Sequence, residues 1–315
     1  MNSFILPFNV SQSSIRISHS SKISFVGSCF SDEISKLAIL HGLNAVSNPF
    51  GTIFHPIPIA NNLLHSINNN TIEKEIIQSS DVYLSTFLSS KIFASSKELL
   101  LDKIVQLRRN FVKELKESDV LFITFGTAWG YHLKENNQIV ANCHKLPQDQ
   151  FTKDLSEIEY MYDVWVELLK LLKSEFPQLK IVFTISPVRH SKDGLIENNR
   201  SKSRLIELAH LLCENCNAEY FPSYEIIIDE LRDYRFYKKD RIHPSNEAVE
   251  YVWNKFMNCF LSEDSIELCA KVLKVKQGLS HSPMHPDTIQ SKKHKLKVLS
   301  DLDKLSKLCP TINWK

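Results

Sequence analysis

Lys180–Ile185 (KIVFTI) is apolar almost without a break and stops at Ser186-Pro187. A strand with one wet face alternates polar and apolar residues. A continuous run instead belongs to a strand covered on both faces, as in parallel sheets. Other short runs end in turn residues in the same way. Lys22–Val26 (KISFV) stops at Gly27, Asn44–Ser47 at Asn48-Pro49-Phe50-Gly51, and Val120–Thr124 (VLFIT) runs into Phe125-Gly126-Thr127; Ala218–Phe221 is a shorter fifth candidate.

Between the runs lie segments of helical period. Ile34, Leu37, Ala38 and His41 share one face, and Lys97–Glu117 has the length that a crossover between parallel strands requires. Ile158, Met161, Trp165, Leu168, Leu169 and Leu172 form a stripe within Leu155–Phe176. A last helix begins near Ser245 and buries Val249, Val252, Trp253, Phe256 and Phe260. The alternation predicts a doubly wound α/β domain with a mainly parallel five-stranded sheet, strand order open. Beyond Leu261 the chain becomes Lys-rich and helical, broken by the prolines of His281-Ser282-Pro283-Met284-His285-Pro286. The expected division is a domain over 1–260 and a C-terminal helical extension over 261–315.

Composition excludes several functions. With 43% hydrophobic and 23% charged residues the chain should fold unaided, and its net charge of +2 creates no field to recruit nucleic acid or an acidic membrane. The basic run Ser291–Lys297 reads as a solvated face. No stretch approaches the ~18 apolar residues of a membrane span. The amino-terminal MNSFILPFNVSQSSIRISHSSK lacks the basic start, long apolar core and small-residue site of a signal peptide, so a soluble cytoplasmic protein is expected. Seven irregularly spaced cysteines fit reduced thiols. Cys213-x-x-Cys216 has no second pair to complete a zinc site, and Asp240, His243 and His144 fit no standard ligand spacing, so no metal is expected. No Gly-rich phosphate loop occurs, and no cofactor is expected.

In open α/β sheets chemistry gathers at the carboxyl ends of the strands. Ser28, in Gly27-Ser28-Cys29-Phe30, stands where the first strand turns into its helix, a place that exposes a hydroxyl beside helix-start N–H groups. Asp240-Arg241-Ile242-His243-Pro244 precedes the last helix and supplies a base with a carboxylate to orient it. Alone, a Ser after a strand is most often a cap, and an Asp-x-x-His is often a cap plus a surface residue. Their combination points to catalysis. Ser28 is expected as nucleophile with Asp240 and His243 as acid and base; Cys29 is a rival nucleophile, expected to point away from the cleft.

The combination resembles the SGNH hydrolases. More narrowly, Gly27-Ser28-Cys29-Phe30 followed by Ser31 resembles the GSCFA family of bacterial SGNH-like proteins, named for that motif, with Ser31 in place of the final Ala. The resemblance extends to Asn48-Pro49-Phe50-Gly51, Phe125-Gly126-Thr127-Ala128-Trp129, Asn142-Cys143-His144-Lys145, Ser186-Pro187-Val188-Arg189-His190, Asn198-Asn199-Arg200-Ser201-Lys202 and Asp240 through Pro244. It implies a three-layer α/β/α sandwich and metal-free ester hydrolysis or acyl transfer at a serine. Where SGNH enzymes commonly carry Gly-x-Asn, this chain reads Gly126-Thr127-Ala128. Asn142 is the expected substitute oxyanion donor, with the backbone N–H groups of Ser28 and Gly51.

Gly126, Thr127, His144, Arg189 and His190 are expected along the substrate rim, Arg189 and His190 holding an anionic or sugar-like substituent or forming a structural ion pair. Three functions remain open on sequence: an esterase removing short acyl groups from a carbohydrate or small molecule, an O-acyltransferase with the same triad, and a non-catalytic glycan-binding domain. Substrate and oligomeric state are open too.

Overall fold

The computed structural model describes residues 6–69 and 75–314; residues 1–5 of the amino-terminal stretch read for targeting lie outside them. In chain order the elements begin with β1 (Lys22–Gly27), α1 (Cys29–Leu40), β2 (Asn44–Ser47), α2 (Pro56–Ile67), β3 (Ile76–Ser79), β4 (Val82–Ser85), β5 (Phe93–Ala94) and α3 (Lys97–Glu117). They continue with β6 (Val120–Phe125), β7 (Trp129–Leu133), β8 (Gln138–Val140), β9 (Phe151–Leu155), α4 (Ile158–Glu175), β10 (Lys180–Ile185), α5 (Leu195–Cys216) and β11 (Glu219–Phe221). The single turn α6 (Ser223–Glu225) then leads to α7 (Asn246–Phe260), α8 (Glu263–Ser280) and α9 (Ile289–Leu308).

The five strands anticipated from the sequence make one parallel sheet in the order β11-β10-β6-β1-β2. All six residues of β6 are buried, because it is central and covered on both faces. Its side chains alternate between two cores. Leu121, Ile123 and Phe125 meet α2, α3, α4 and α5 on one face, whereas Val120 and Phe122 meet α1 and α7 on the other. The result is a three-layer α/β/α sandwich. On the second face Phe122 stacks on Phe25 at 4.9 Å and meets Phe256 and Phe260 at 5.1 and 5.2 Å; each ring buried this way contributes about 2–3 kcal/mol.

Two small antiparallel sheets, β3-β4-β5 and β8-β7-β9, and helix α2 are additions that the sequence reading did not contain. Helix α2 opens on Pro56-Ile57-Pro58, and prolines in a first turn lack only N–H groups that would go unpaired anyway. Leu155 closes β9 instead of opening the following helix, which starts at Ile158. The prolines after His281 separate α8 from α9, whose Val272, Val275, Val298 and Leu305 pack together. Among the described residues no helix is long and apolar enough to cross a membrane.

His55 caps α2: its Nδ1 accepts the Ile57 N–H at 3.1 Å, and its Nε2–H faces the Ala128 carbonyl and Ser156 Oγ at 3.3 and 3.1 Å. Burial pulls the imidazole down to about 3, the Ala128 bond opposing it only in part. Below pH 6.5 the unfolded chain therefore takes up a proton that the folded one refuses, and stability falls as pH drops from 6.5 towards 3. His55→Asn keeps a cap acceptor and removes this titration. Urea unfolding across that range should show a pH slope shallower by about one proton, roughly 1.4 kcal/mol per pH unit; an unchanged slope would sink the assignment.

Candidate active site

Gly27 ends β1 with φ +123, and a Cβ there would lie 2.1 Å from the Thr124 carbonyl oxygen, so the turn into α1 passes against β6 as only glycine can. Ser28 follows as the N-cap of α1. Its Oγ accepts the Phe30 N–H at 3.2 Å, its N–H donates to the Thr124 carbonyl at 3.1 Å, and it is 0% exposed. Cys29, the first residue of α1, is partly exposed. The buried hydroxyl departs from the expectation that Ser28 is exposed to the cleft; a capping side chain folds back onto the helix it caps.

The turn is held by residues to which the sequence reading gave no role in the site. Asn48, at φ 45, accepts the Gly27 N–H at 2.8 Å and donates to Asp32 Oδ1 at 2.9 Å and the Ser28 carbonyl at 3.3 Å. Ser47 also donates to Asp32 Oδ1, at 2.8 Å. The available signal was an Asn opening a Pro-x-Gly turn, with an acid in the first turn of the neighbouring helix. Asn48→Ala leaves the Gly27 N–H without an acceptor; it should cost about 1–3 kcal/mol in denaturant unfolding and lower turnover at least ~10-fold by loosening the turn.

Asp240 and His243 meet within one tight loop, reversed by Arg241 at φ 61. Asp240 Oδ1 accepts the N–H groups of Ile242 and His243 at 2.9 and 3.0 Å, and Oδ2 accepts His243 Nδ1–H at 2.8 Å. Those backbone bonds first, then the ring, hold the Asp240 carboxyl well below the usual carboxylate range. The carboxylate stays charged and fixes the tautomer that leaves Nε2 unprotonated. No hydrogen bond joins Ser28 Oγ to His243 among the described contacts; the Ser28 hydroxyl stays on its helix.

Arg189 props this loop. Its backbone N–H donates to the Ile242 carbonyl at 3.3 Å, its Nη1 to the Arg241 carbonyl at 3.1 Å, and the guanidinium lies 4.2 Å from the Tyr237 ring centre. His190 donates its backbone N–H to Asn198 Oδ1 at 2.9 Å and sets its ring edge-on to Phe54 at 5.2 Å. Its buried Nε2 has no partner among the described residues. Burial, then the charge of Lys202, pull it down to about 3 against the opposing Asp193 carboxylate, so it is neutral.

Lys202 of α5 lies beneath, 1% exposed. Its Nζ donates to the Gly126 and Ser186 carbonyls at 2.7 and 2.6 Å, joining the loops that follow β6 and β10. Burial pulls it down to about 7, and the titratable group whose charge pushes back is Cys29.

Other anticipated contacts fall differently. The Gly126 and Thr127 N–H groups both donate to the Phe54 carbonyl, at 2.8 and 3.1 Å, and Thr127 Oγ1 turns inward to Ser201 Oγ at 3.1 Å. The Gly51 N–H closes its own turn on the Asn48 carbonyl at 2.8 Å. Asn142 donates to Ser90 Oγ at 3.1 Å and accepts the His144 N–H at 2.8 Å, while buried His144 bonds the Ser85 carbonyl at 2.6 Å. The Ser28 and Gly51 N–H groups are thus committed within the protein, one to the neighbouring strand and one to its own turn, whereas the Asn142 amide has a second N–H besides the one that bonds Ser90. The first N–H of α1, on Cys29, has no upstream helical carbonyl to receive it. Among the described residues no cluster of three or more metal-ligating side chains gathers. A cavity of about 960 Å³ between α8 and α9 is lined by none of the candidate-site residues.

The chain is similar to several solved structures. One is described as a GDSL-like lipase from Parabacteroides merdae: 12% identical, covering 78% of this chain and 98% of that one, with a TM-score of 0.41. The psychrotrophic esterase EstA from Pseudoalteromonas sp. is 11% identical over 78% and 97% of the two chains, with a TM-score of 0.36. The acetyl xylan esterase Est2A from Butyrivibrio proteoclasticus is 9% identical over 76% and 63%, with a TM-score of 0.39. Likeness at this level assigns neither substrate nor active residues. No curated protein matches the chain. The model of the GSCFA family matches residues 22–256, a span that runs from β1 into α7 and holds every site residue above, and the chain belongs to the GSCFA family.

Proposed function

We propose that this protein is an acyl-ester hydrolase acting on short acyl groups, such as acetyl, carried by a carbohydrate or similar small molecule. The observation that carries this reading is the Asp240–His243 pair: a carboxylate pinned by two backbone N–H groups holds Nδ1–H at 2.8 Å and leaves Nε2 free to take a proton. The pair sits on a loop fastened through Arg189 to the segment following β10, at the carboxyl end of the sheet. His243 deprotonates a nucleophile in the Gly27–Phe30 turn, which attacks the ester carbonyl. His243 then returns the proton to the leaving alcohol, and water, activated in the same way, releases the acid.

The test is turnover of short-chain chromogenic esters and acetylated sugars by purified protein, beside His243→Ala. Hydrolysis by the parent protein, lost in the variant, supports the reading. Folded parent protein that turns over no ester, with or without an acceptor alcohol, overturns it.

A further inference from the structure

Two candidate nucleophiles stand side by side in the Gly27–Phe30 turn, and their surroundings differ. Ser28 is spent on structure. Its hydroxyl caps α1, its N–H is tied to Thr124, and it exposes no surface. To accept an acyl group it would have to leave the cap, at a cost of about 0.5–2 kcal/mol, and open a path through packed backbone. Cys29 needs neither change: it is partly exposed and begins the helix.

A second observation points to the same place. Lys202 is fully buried, yet no carboxylate lies within ion-pair reach of it among the described contacts; its two hydrogen bonds go to neutral carbonyls. A buried ammonium without a counter-ion is costly, and an ammonium has three N–H groups to place. The charge of Lys202 acts on the Cys29 thiol, opposing the upward push that burial and Asp32 exert on it. His190 also keeps a buried ring nitrogen with no partner among the described residues, within the field of Lys202. The Gly126 carbonyl that Lys202 holds comes just after Thr124, whose carbonyl accepts the Ser28 N–H, so the buried lysine is tied to the strand end against which the Cys29 turn packs.

We propose that Cys29 Sγ, not Ser28 Oγ, is the atom that carries the acyl group, and that Lys202 is a positioning residue whose ammonium serves as counter-ion to the thiolate. The proposal rests on the hydrolase reading above. His243 Nε2 takes the thiol proton as Sγ bonds to the ester carbonyl carbon. The tetrahedral intermediate collapses with cleavage of the ester C–O bond, and the alcohol leaves with that proton. Water then adds to the thioester, giving its proton to His243; the C–S bond breaks, the acid departs, and the thiolate regains the proton.

The experiment is acid quench of the full-length protein during turnover of a short-chain chromogenic ester, followed by peptide mapping. An acyl mass on Cys29, with Cys29→Ala lowering turnover at least ~100-fold, is the expected result. An acyl mass on Ser28, or a folded Cys29→Ala that keeps turnover, overturns it. Adduct mapping uses the parent chain, so a variant that fails to fold does not blunt it. Iodoacetamide alkylation of Cys29 across pH, with and without Lys202→Met, needs no ester and separates this proposal from the hydrolase reading. A profile displaced upward by about one pH unit or more in Lys202→Met supports the ion pair. A folded Lys202→Met with an unmoved profile overturns it, whether or not esters are hydrolysed.

Discussion

His243→Ala is expected to lower kcat/KM for short-chain esters by roughly 10³–10⁴-fold, with stability almost unchanged. The magnitude follows from what the residue supplies. Neither a hydroxyl nor a thiol held above its usual range, as burial and Asp32 hold Cys29, ionises usefully near neutral pH without a base. His243 is half-exposed and its ring bonds Asp240 within its own loop, so removing the ring opens no core cavity. Asp240→Asn should also lose about 10²–10⁴-fold, because an amide that donates its N–H to Nδ1 forces the proton onto Nε2, the wrong tautomer. Steady-state kinetics beside denaturant unfolding separate the two effects. Loss of less than ~10-fold in a folded His243→Ala would show that the ring is no base.

Gly27→Ala is expected to destabilise the protein by more than about 4 kcal/mol, or to prevent folding. Two costs coincide. The residue sits at φ +123, which side-chain-bearing residues avoid, and the added methyl would meet Thr124 O at 2.1 Å and Thr124 C at 2.9 Å. Both are backbone atoms of β6, the middle strand of the sheet, so nothing can rotate away. Relief would require β1 and β6 to part at their carboxyl ends, breaking the Ser28 N–H bond to Thr124 that positions the site. Urea unfolding measures the loss; a drop below about 1 kcal/mol would mean the turn has another conformation open to it.

Much of this was legible locally. Continuous apolar runs marked β6 and β10 as central strands because burial on both faces leaves no polar alternation, and the stripe of Val249, Val252, Trp253, Phe256 and Phe260 marked α7. Asp240 and His243 were legible as a pair because they lie three residues apart and meet without leaving their own loop. Other features depend on distant partners. The order β11-β10-β6-β1-β2 is set by which faces fit, and Lys202 reaches Gly126 across 76 residues of sequence. The two small antiparallel sheets went unread because their strands are short and only partly buried, leaving a weak periodic signal. Sequence alone determined the parallel α/β class, the family motifs and the two carboxyl-end segments that form the candidate site, since each is written in neighbouring residues. Only the tertiary structure decided that Ser28 is buried while Cys29 stays partly exposed, that the Ser28 and Gly51 N–H groups are already bonded, and that Lys202 lies beneath them with no carboxylate partner among the described contacts, because burial and hydrogen-bond partners are set by packing between elements far apart in the chain.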